Sequence, residues 1–120
     1  MNSKIKIALI GCGNWGSNIA RNLFDLESLA CVYDTNNQLI KTISNNFKVP
    51  ILSLNEIFSD NGINAVVISS PANTHKELAQ MALNSNKDVF IEKPFCLSLK
   101  DAQLLSELTR KKNKILMVGH

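Results

Sequence analysis

A glycine-rich segment near the start of the chain has residue types and spacing that suggest chemistry. Gly11-Cys12-Gly13-Asn14-Trp15-Gly16 has the spacing G-x-G-x-x-G and lies between an apolar run and a helical pattern. There Gly11 permits a tight turn, Gly13 lets a pyrophosphate approach the backbone, and Gly16 lets the helix pack closely on a sheet. The helix N-terminus offers free N–H groups to phosphates. The segment therefore predicts a dinucleotide-binding loop, and the alternative is a glycine turn without a ligand.

An acidic residue follows this loop at about the sequence separation at which dinucleotide-binding folds place the carboxylate that binds the ribose. Asp34 lies 18 residues after Gly16, at the end of the second apolar run. Its carboxylate can accept hydrogen bonds from the ribose hydroxyls and would repel a 2′-phosphate. Because the next residues, Thr35-Asn36-Asn37, bring no arginine, NAD is favoured over NADP. Asp34 could also, or instead, cap the next helix. An S-adenosylmethionine enzyme shares such features, but the Gly16 spacing and the short first crossover favour a dinucleotide.

Two polar clusters follow later apolar runs. The first covers residues 69–75 and the second is Glu92-Lys93-Pro94. Ligands of parallel sheets bind beyond the carboxyl ends of the strands, where both clusters are expected. Lys93, held extended before a proline, could donate or accept a proton or orient a substrate hydroxyl. By residue type alone, however, Lys93-Pro94 is more typical of an ordinary loop, and His75 is more typical of the first turn of a helix than of a catalyst.

The elements that would position these residues alternate along the chain. Strand-like apolar runs cover residues 5–10, 29–33, 50–52, 65–68, 88–91 and 115–118. Helical patterns separate them; Thr74 with Glu77 predicts a capping box for one helix, and the last helix runs from about Ser98 to three cations. Alternation of this kind predicts an α/β fold with a doubly wound, parallel, six-stranded Rossmann sheet and helices on both faces.

Composition limits the function classes. The 120 residues suit one domain, 1–120, and 45% of them are apolar. A net charge of +3 is too small and too scattered to argue for nucleic acid or a membrane surface. No apolar run approaches the ~20 residues of a membrane span, and no signal peptide is expected. Three isolated cysteines (Cys12, Cys31 and Cys96) predict reduced thiols, no metal site and a cytoplasmic protein.

At Glu92-Lys93-Pro94 the chain resembles a known family, the Gfo/Idh/MocA oxidoreductases, in their N-terminal NAD-binding domain. The resemblance covers all 120 residues and includes the Pro71-to-His75 segment and the closing Val118-Gly119-His120. It implies that Lys93 is a catalytic or substrate-positioning lysine. The cofactor-binding candidates are Gly11, Gly13, Asn14, Trp15, Gly16, Asp34, Ser70, Pro71, Asn73, His75, Glu92, Lys93 and Pro94.

The resemblance also sets expectations for activity. The family transfers hydride between a nicotinamide cofactor and a sugar or polyol carbon. Residues 15–18 with Arg21 and Asn22 resemble the nucleotide-sugar 3-dehydrogenase branch. The substrate domain lies outside this chain, so we expect the chain to bind NAD without turnover and the full-length protein to be a homo-oligomer. The competing hypothesis is a regulatory NAD-binding module of the channel-regulator type, which has no need of Glu92-Lys93-Pro94.

Overall fold

The computed structural model describes residues 5–13 and 16–119. Within these ranges there are five strands: β1 (Ile7–Ile10), β2 (Leu29–Tyr33), β3 (Ala65–Ile68), β4 (Asp88–Ile91) and β5 (Leu116–Val118). Five helices connect them: α1 (Gly16–Asp25), α2 (Asn37–Phe47), α3 (Leu54–Ser59), α4 (His75–Asn84) and α5 (Leu99–Lys112). A turn of 3-10 helix, Ala72–Thr74, precedes α4.

The strands form one parallel sheet in the order β2-β1-β3-β4-β5. Strand residues alternate between two cores. Ala8 and Ile10 of β1 belong to the core that contains Leu78 of α4 and Leu105 of α5. Leu9 belongs to the second core, with residues of α1 and α2. Because helices cover both faces, the strands are almost entirely apolar, with Asp88 at the amino end of β4 as a charged residue. The predicted α/β doubly wound fold is confirmed.

The described sheet has five strands, and the predicted sixth strand at residues 50–52 is reduced to one bridge between Val32 and Ile51. Val32 donates its N–H to Pro50 O and accepts one from Leu52. Pairing stops there because Pro50 has no N–H to extend it and Ser53 immediately caps α3 in a capping box with Glu56. The strand count was therefore wrong by one.

Helix ends follow their capping residues, with one exception. Ser98 accepts the Asp101 N–H at the start of α5, and Arg110, Lys111 and Lys112 form its last turn, as predicted. Thr74 makes no side-chain cap on α4, so the predicted capping box is wrong. Its hydroxyl donates instead to Pro71 O, 2.6 Å away. None of the helices in the described ranges is long and apolar enough to cross a bilayer.

Candidate functional site

The order in which the chain forms the strands reverses between β1 and β3, and Gly11 and Ser70 lie in the loops that follow these two strands. β1 pairs with β2 on one side and with β3 on the other; the chain proceeds from β1 to β2, and from β3 to β4 in the opposite direction along the sheet. Such a switch point leaves a crevice between the two loops that follow the diverging strands. Here those loops begin at Gly11 and Ser69.

Gly11 is required by the contact between these loops. Its φ is +89°, and a Cβ there would collide with the backbone nitrogen of Ser70 and lie 2.6 Å from Ser70 Cα. Its N–H also donates to Tyr33 O at 2.8 Å. Gly11 therefore joins the ends of β1, β2 and β3, and only a residue without a side chain fits there.

Gly13 and Gly16 have different reasons to be glycine. A Cβ on Gly16 would lie 3.1 Å from Cys12 Cβ, so this residue allows close packing at the start of α1. Gly13 is exposed, and among the residues that the structure describes a Cβ there would meet only Ser69 O, at 3.7 Å, an ordinary contact. The protein itself therefore leaves room for a side chain at Gly13. The predicted site residues Asn14 and Trp15 lie outside the described residues.

The Asp34 carboxylate is fixed at the edge of the crevice. Its Oδ2 accepts the Cys12 N–H at 2.6 Å, and its Oδ1 accepts the Asn36 N–H at 2.8 Å. Each oxygen retains acceptor capacity for a ligand hydroxyl. Asn36, not Asp34, is the N-cap of α2, because its Oδ1 accepts the Leu39 N–H. The side-chain cap that was an alternative role for Asp34 is therefore supplied by Asn36.

The Cys12 thiol within the loop is not a reactive nucleophile. Burial, with a smaller contribution from the Asp34 charge, raises the pKa of Cys12 to about 12. A thiol of this kind stays protonated at neutral pH and is a poor nucleophile.

A cleft of about 360 Å³ opens beside Asp34. It brings together five predicted residues: Gly11, Asp34, Ser70, Pro71 and Asn73. Gly13, Gly16, His75, Glu92, Lys93 and Pro94 do not line it. The walls also contain residues that the sequence did not indicate, namely Ile10, Tyr33, Thr35, Leu54, Thr74, Glu77, Leu78 and Met81. With its apolar floor and a carboxylate at its rim, the cleft suits an aromatic base attached to a sugar.

Met81 shows why part of this wall was missed. The helical pattern places Met81 on the core face of α4, yet 40% of its surface is exposed at the cleft. The core face is instead formed by His75, Leu78, Ala79, Ala82 and Leu83. Only the position of α4 over β3 reveals the difference, since the spacing of apolar residues fits both faces.

The loop after β3 is ordered by hydroxyl groups. Because the Thr74 hydroxyl donates to Pro71 O, the Ser70 hydroxyl at 2.7 Å acts as the donor to Thr74 Oγ1. Pro71 and Asn73 are exposed at the cleft. The loop thus presents a fixed backbone and one free amide side chain.

His75 lies beneath this loop and is buried, with 1% of its surface exposed. Nε2 is 2.7 Å from Ser70 O, and Nδ1 is 2.8 Å from Pro94 O and 3.3 Å from Phe95 O. The ring nitrogens therefore face main-chain carbonyls of two loops. His75 therefore lies beneath the wall of the cleft and does not line it.

Lys93 is exposed at the carboxyl end of β4, in the loop fastened by His75. Glu92 donates its N–H to Ile68 O, and the Lys93-Pro94 peptide is cis. A Cβ on Gly119 would lie 3.5 Å from Glu92 Oε1. Lys93 is thus one strand further along the sheet than the cleft beside Asp34.

The chain matches known proteins along almost its whole length. Residues 5–120 match the model of the oxidoreductase family with an NAD-binding Rossmann fold, GFO_IDH_MocA. A scyllo-inositol 2-dehydrogenase (NAD(+)) of Bacillus subtilis is 30% identical over 124 residues, which is 99% of this chain and 36% of that protein. The chain spans about a third of the length of the curated relatives that it matches from end to end, between 32% and 39%.

Solved structures give the same result. The UDP-N-acetylglucosamine 3-dehydrogenase of Acidithiobacillus ferrooxidans superimposes with a TM-score of 0.92 at 25% identity, over 99% of this chain and 39% of that chain. GenD2 from gentamicin A biosynthesis, solved in complex with NAD, also gives 0.92 at 25% identity, over 99% and 35%. The regulatory-module hypothesis gains no support from these matches.

Proposed function

The chain belongs to the Gfo/Idh/MocA oxidoreductase family with its NAD-binding Rossmann fold, and from that premise we propose that it binds NAD across the β1–β3 crevice for hydride transfer to or from a sugar or polyol carbon. The pyrophosphate lies on the Gly13 backbone at the start of α1, and the adenosine occupies the cleft beside Asp34. The observation that carries this proposal is the Asp34 carboxylate, held at the cleft by two N–H groups with acceptor capacity left over.

Gly13 supports the position proposed for the pyrophosphate. Neither its backbone conformation nor any atom of the described residues around it requires a glycine there. A phosphate approaching the N–H groups at the start of α1 does require one, because a Cβ would occupy its place. Asn14 and Trp15 are proposed as further residues of this loop.

Specificity for NAD over NADP is proposed from the same carboxylate. The two N–H groups hold the Asp34 carboxylate in place, so a 2′-phosphate would meet a fixed negative charge. Thr35, Asn36 and Asn37 are neutral. A ribose with free hydroxyls instead finds two acceptor oxygens.

Lys93 is the proposed catalytic residue. NAD, when bound, supplies the hydride acceptor at its nicotinamide ring, which the topology directs towards the ends of β3 and β4. Lys93 Nζ orients the substrate hydroxyl and takes or returns its proton. Glu92 and Pro94 flank this position, and Ser70, Pro71 and Asn73 form the opposite wall.

The substrate class is proposed from the relatives. Their names include dehydrogenases of inositols and of UDP-N-acetylglucosamine. We propose a sugar, nucleotide-sugar or polyol as the small-molecule substrate. Because those relatives are about three times as long, we also propose that the enzyme needs a second, substrate-binding domain and that residues 1–120 alone bind NAD without turnover.

Isothermal titration of the 120-residue chain tests cofactor binding. We expect NAD to bind and NADP to bind at least about tenfold more weakly, a difference of ~1.4 kcal/mol. Asp34→Asn should weaken NAD binding by about tenfold and narrow the gap to NADP, since hydrogen bonds to a charged acceptor are worth about 1.5–3 kcal/mol. Asp88→Asn is the matched control, because Asp88 also accepts a backbone N–H, from Ile115, at the opposite end of the sheet. No NAD binding by the folded chain would refute the proposal.

A second experiment tests Lys93 in the enzyme that contains this domain. Lys93→Ala should lower kcat by about 10²–10⁴, the usual contribution of a positioned acid–base group, while sparing NAD affinity. Lys100→Ala, on the exposed first turn of α5, is the control. Near-normal turnover of the Lys93 variant would exclude the catalytic role and leave the cofactor site untouched.

A further inference from the structure

His75 connects two loops that are distant in the sequence. Its partners are the carbonyl of Ser70, five residues before it, and those of Pro94 and Phe95, 19 and 20 residues after it. Ser70 belongs to the wall of the cleft, and Pro94 is the neighbour of Lys93. The ring therefore joins the two halves of the site without lying in the cleft.

The number of protons on the ring nitrogens determines how many of these hydrogen bonds the ring can donate. A neutral imidazole has one N–H and can donate to one of the two loops, whereas the imidazolium has two and can donate to both. All of the ring's hydrogen-bond partners in the described part of the chain are carbonyl oxygens, which only accept. The complete connection therefore requires the doubly protonated ring.

We propose that His75 is a positioning residue whose imidazolium form cross-links the Ser70 and Pro94 carbonyls and thereby sets the position of Lys93. Loss of one ring proton leaves one carbonyl without its donor and loosens the loop that carries Lys93. The importance of that movement rests on the proposed function of Lys93, but the cross-link itself does not depend on NAD.

The pH responses of other titratable groups nearby have to be distinguished from that of His75. They are Lys76 and Glu77 on α4, Glu92, Lys93 and Cys96 in the loop after β4, and Asp101 on α5. β3 carries none. Burial raises the pKa of Cys96, with Asp101 adding to the effect, so its thiol stays protonated through the neutral range. The experiment must therefore observe the ring nitrogens directly.

Long-range ¹H–¹⁵N spectra of the untagged chain, without cofactor, provide that observation. His75 and His120 are the two histidines of the sequence, and His120→Gln identifies their signals. We expect both His75 nitrogens to be protonated at the acid end of a pH series and one to lose its proton as the pH rises. The amide signals of Lys93, Phe95 and Cys96 should shift with the same midpoint as the ring.

Two amide substitutions test the two contacts of the His75 ring one at a time. The side-chain amide of asparagine lies near the position of Nδ1 and that of glutamine near Nε2, so His75→Asn retains the Pro94 contact and His75→Gln the Ser70 contact. We expect His75→Asn to keep the wild-type signals of Lys93 and Phe95 and His75→Gln to shift them. Neither variant should show the pH-dependent movement of the loop.

The outcomes distinguish the proposal from a merely structural histidine. Loop signals that stay fixed while the ring titrates, or a ring that keeps one proton throughout the pH series, would overturn the cross-link. If both variants fail to fold, the wild-type titration still decides the question. A failed NAD titration would remove the proposed function and leave this measurement unchanged.

Discussion

The two ends of the sheet each contain one buried polar side chain that binds main-chain carbonyls, yet the two side chains serve different purposes. At the amino ends, Lys87 is 1% exposed and donates to Asp60 O at 2.7 Å and Ile63 O at 2.8 Å. At the carboxyl ends, His75 is equally buried and faces carbonyls of two loops. Both groups satisfy backbone acceptors, so burial and bonding alone do not identify a functional residue.

The polar residues around Lys87 and those around His75 differ between the two ends of the sheet. At the amino ends, Asn64 Oδ1 accepts the Lys6 N–H and Asp88 Oδ1 accepts the Ile115 N–H, so side chains join loop to strand. At the carboxyl ends, Asp34 is bonded in the same way but retains acceptor capacity at a cleft. The comparison indicates that a fixed carboxylate beside a cleft, and not burial or bonding alone, distinguishes the carboxyl ends of the sheet.

Gly11→Ala should have the largest effect. The new Cβ would collide with the Ser70 backbone and impose a positive φ on alanine, so we expect a loss of about 3 kcal/mol or more, with NAD binding lost as well. Urea denaturation measures the loss. Gly62→Ala is the control at the amino ends, since its Cβ would meet only Asp60 Oδ1, at 3.1 Å. An equal loss in both variants would contradict the special role of the Gly11–Ser70 contact.

Lys87→Met should reduce stability by about 2 kcal/mol and leave NAD affinity unchanged. Removal of the amine leaves two carbonyls without their donor, at roughly 1–3 kcal/mol for a buried unsatisfied group, and removal of a desolvated charge offsets part of this. A change in NAD affinity of the folded variant would show that the two ends are not independent.

The pH dependence of this variant has a definite sign. Desolvation lowers the pKa of Lys87 below its ordinary 10.5, so in the window between the lowered pKa and 10.5 the unfolded chain binds more protons. Wild-type stability therefore gains with rising pH from this residue, and the cost of Lys87→Met should grow towards pH 10.5. Burial raises the pKa of Cys31 to about 12 and the Lys87 charge partly opposes this, so the Cys31 thiol also responds to the loss of Lys87 and contributes to the difference.

The sequence predicted those parts of the site that depend on local spacing, and it missed those that depend on long-range packing. Gly11 and Asp34 follow from their positions after strands, and the alternating pattern predicted the sheet. Pairing of residues 50–52 stopped at one bridge because Pro50 and the Ser53 cap intervene. The partners of His75 and the burial of Lys87 arise from loops 19 to 27 residues away, which no local pattern contains.

Gly13→Ala should have the smallest effect on folding and so gives the sharpest test of the comparison. Its Cβ would make an ordinary contact at 3.7 Å, and alanine restricts the unfolded chain more than glycine does, so the free energy of unfolding should change by less than about 0.5 kcal/mol. NAD affinity should nevertheless fall by about tenfold or more, because the methyl group occupies the place proposed for the pyrophosphate. Denaturation and titration of the same sample separate the two quantities. Unchanged NAD affinity would mean that the phosphates lie elsewhere, whereas lost stability would mean that Gly13, like Gly11, serves the fold. The contrast with Lys87→Met, which should lose stability and keep binding, makes the assignment of function to the carboxyl ends a measurable one.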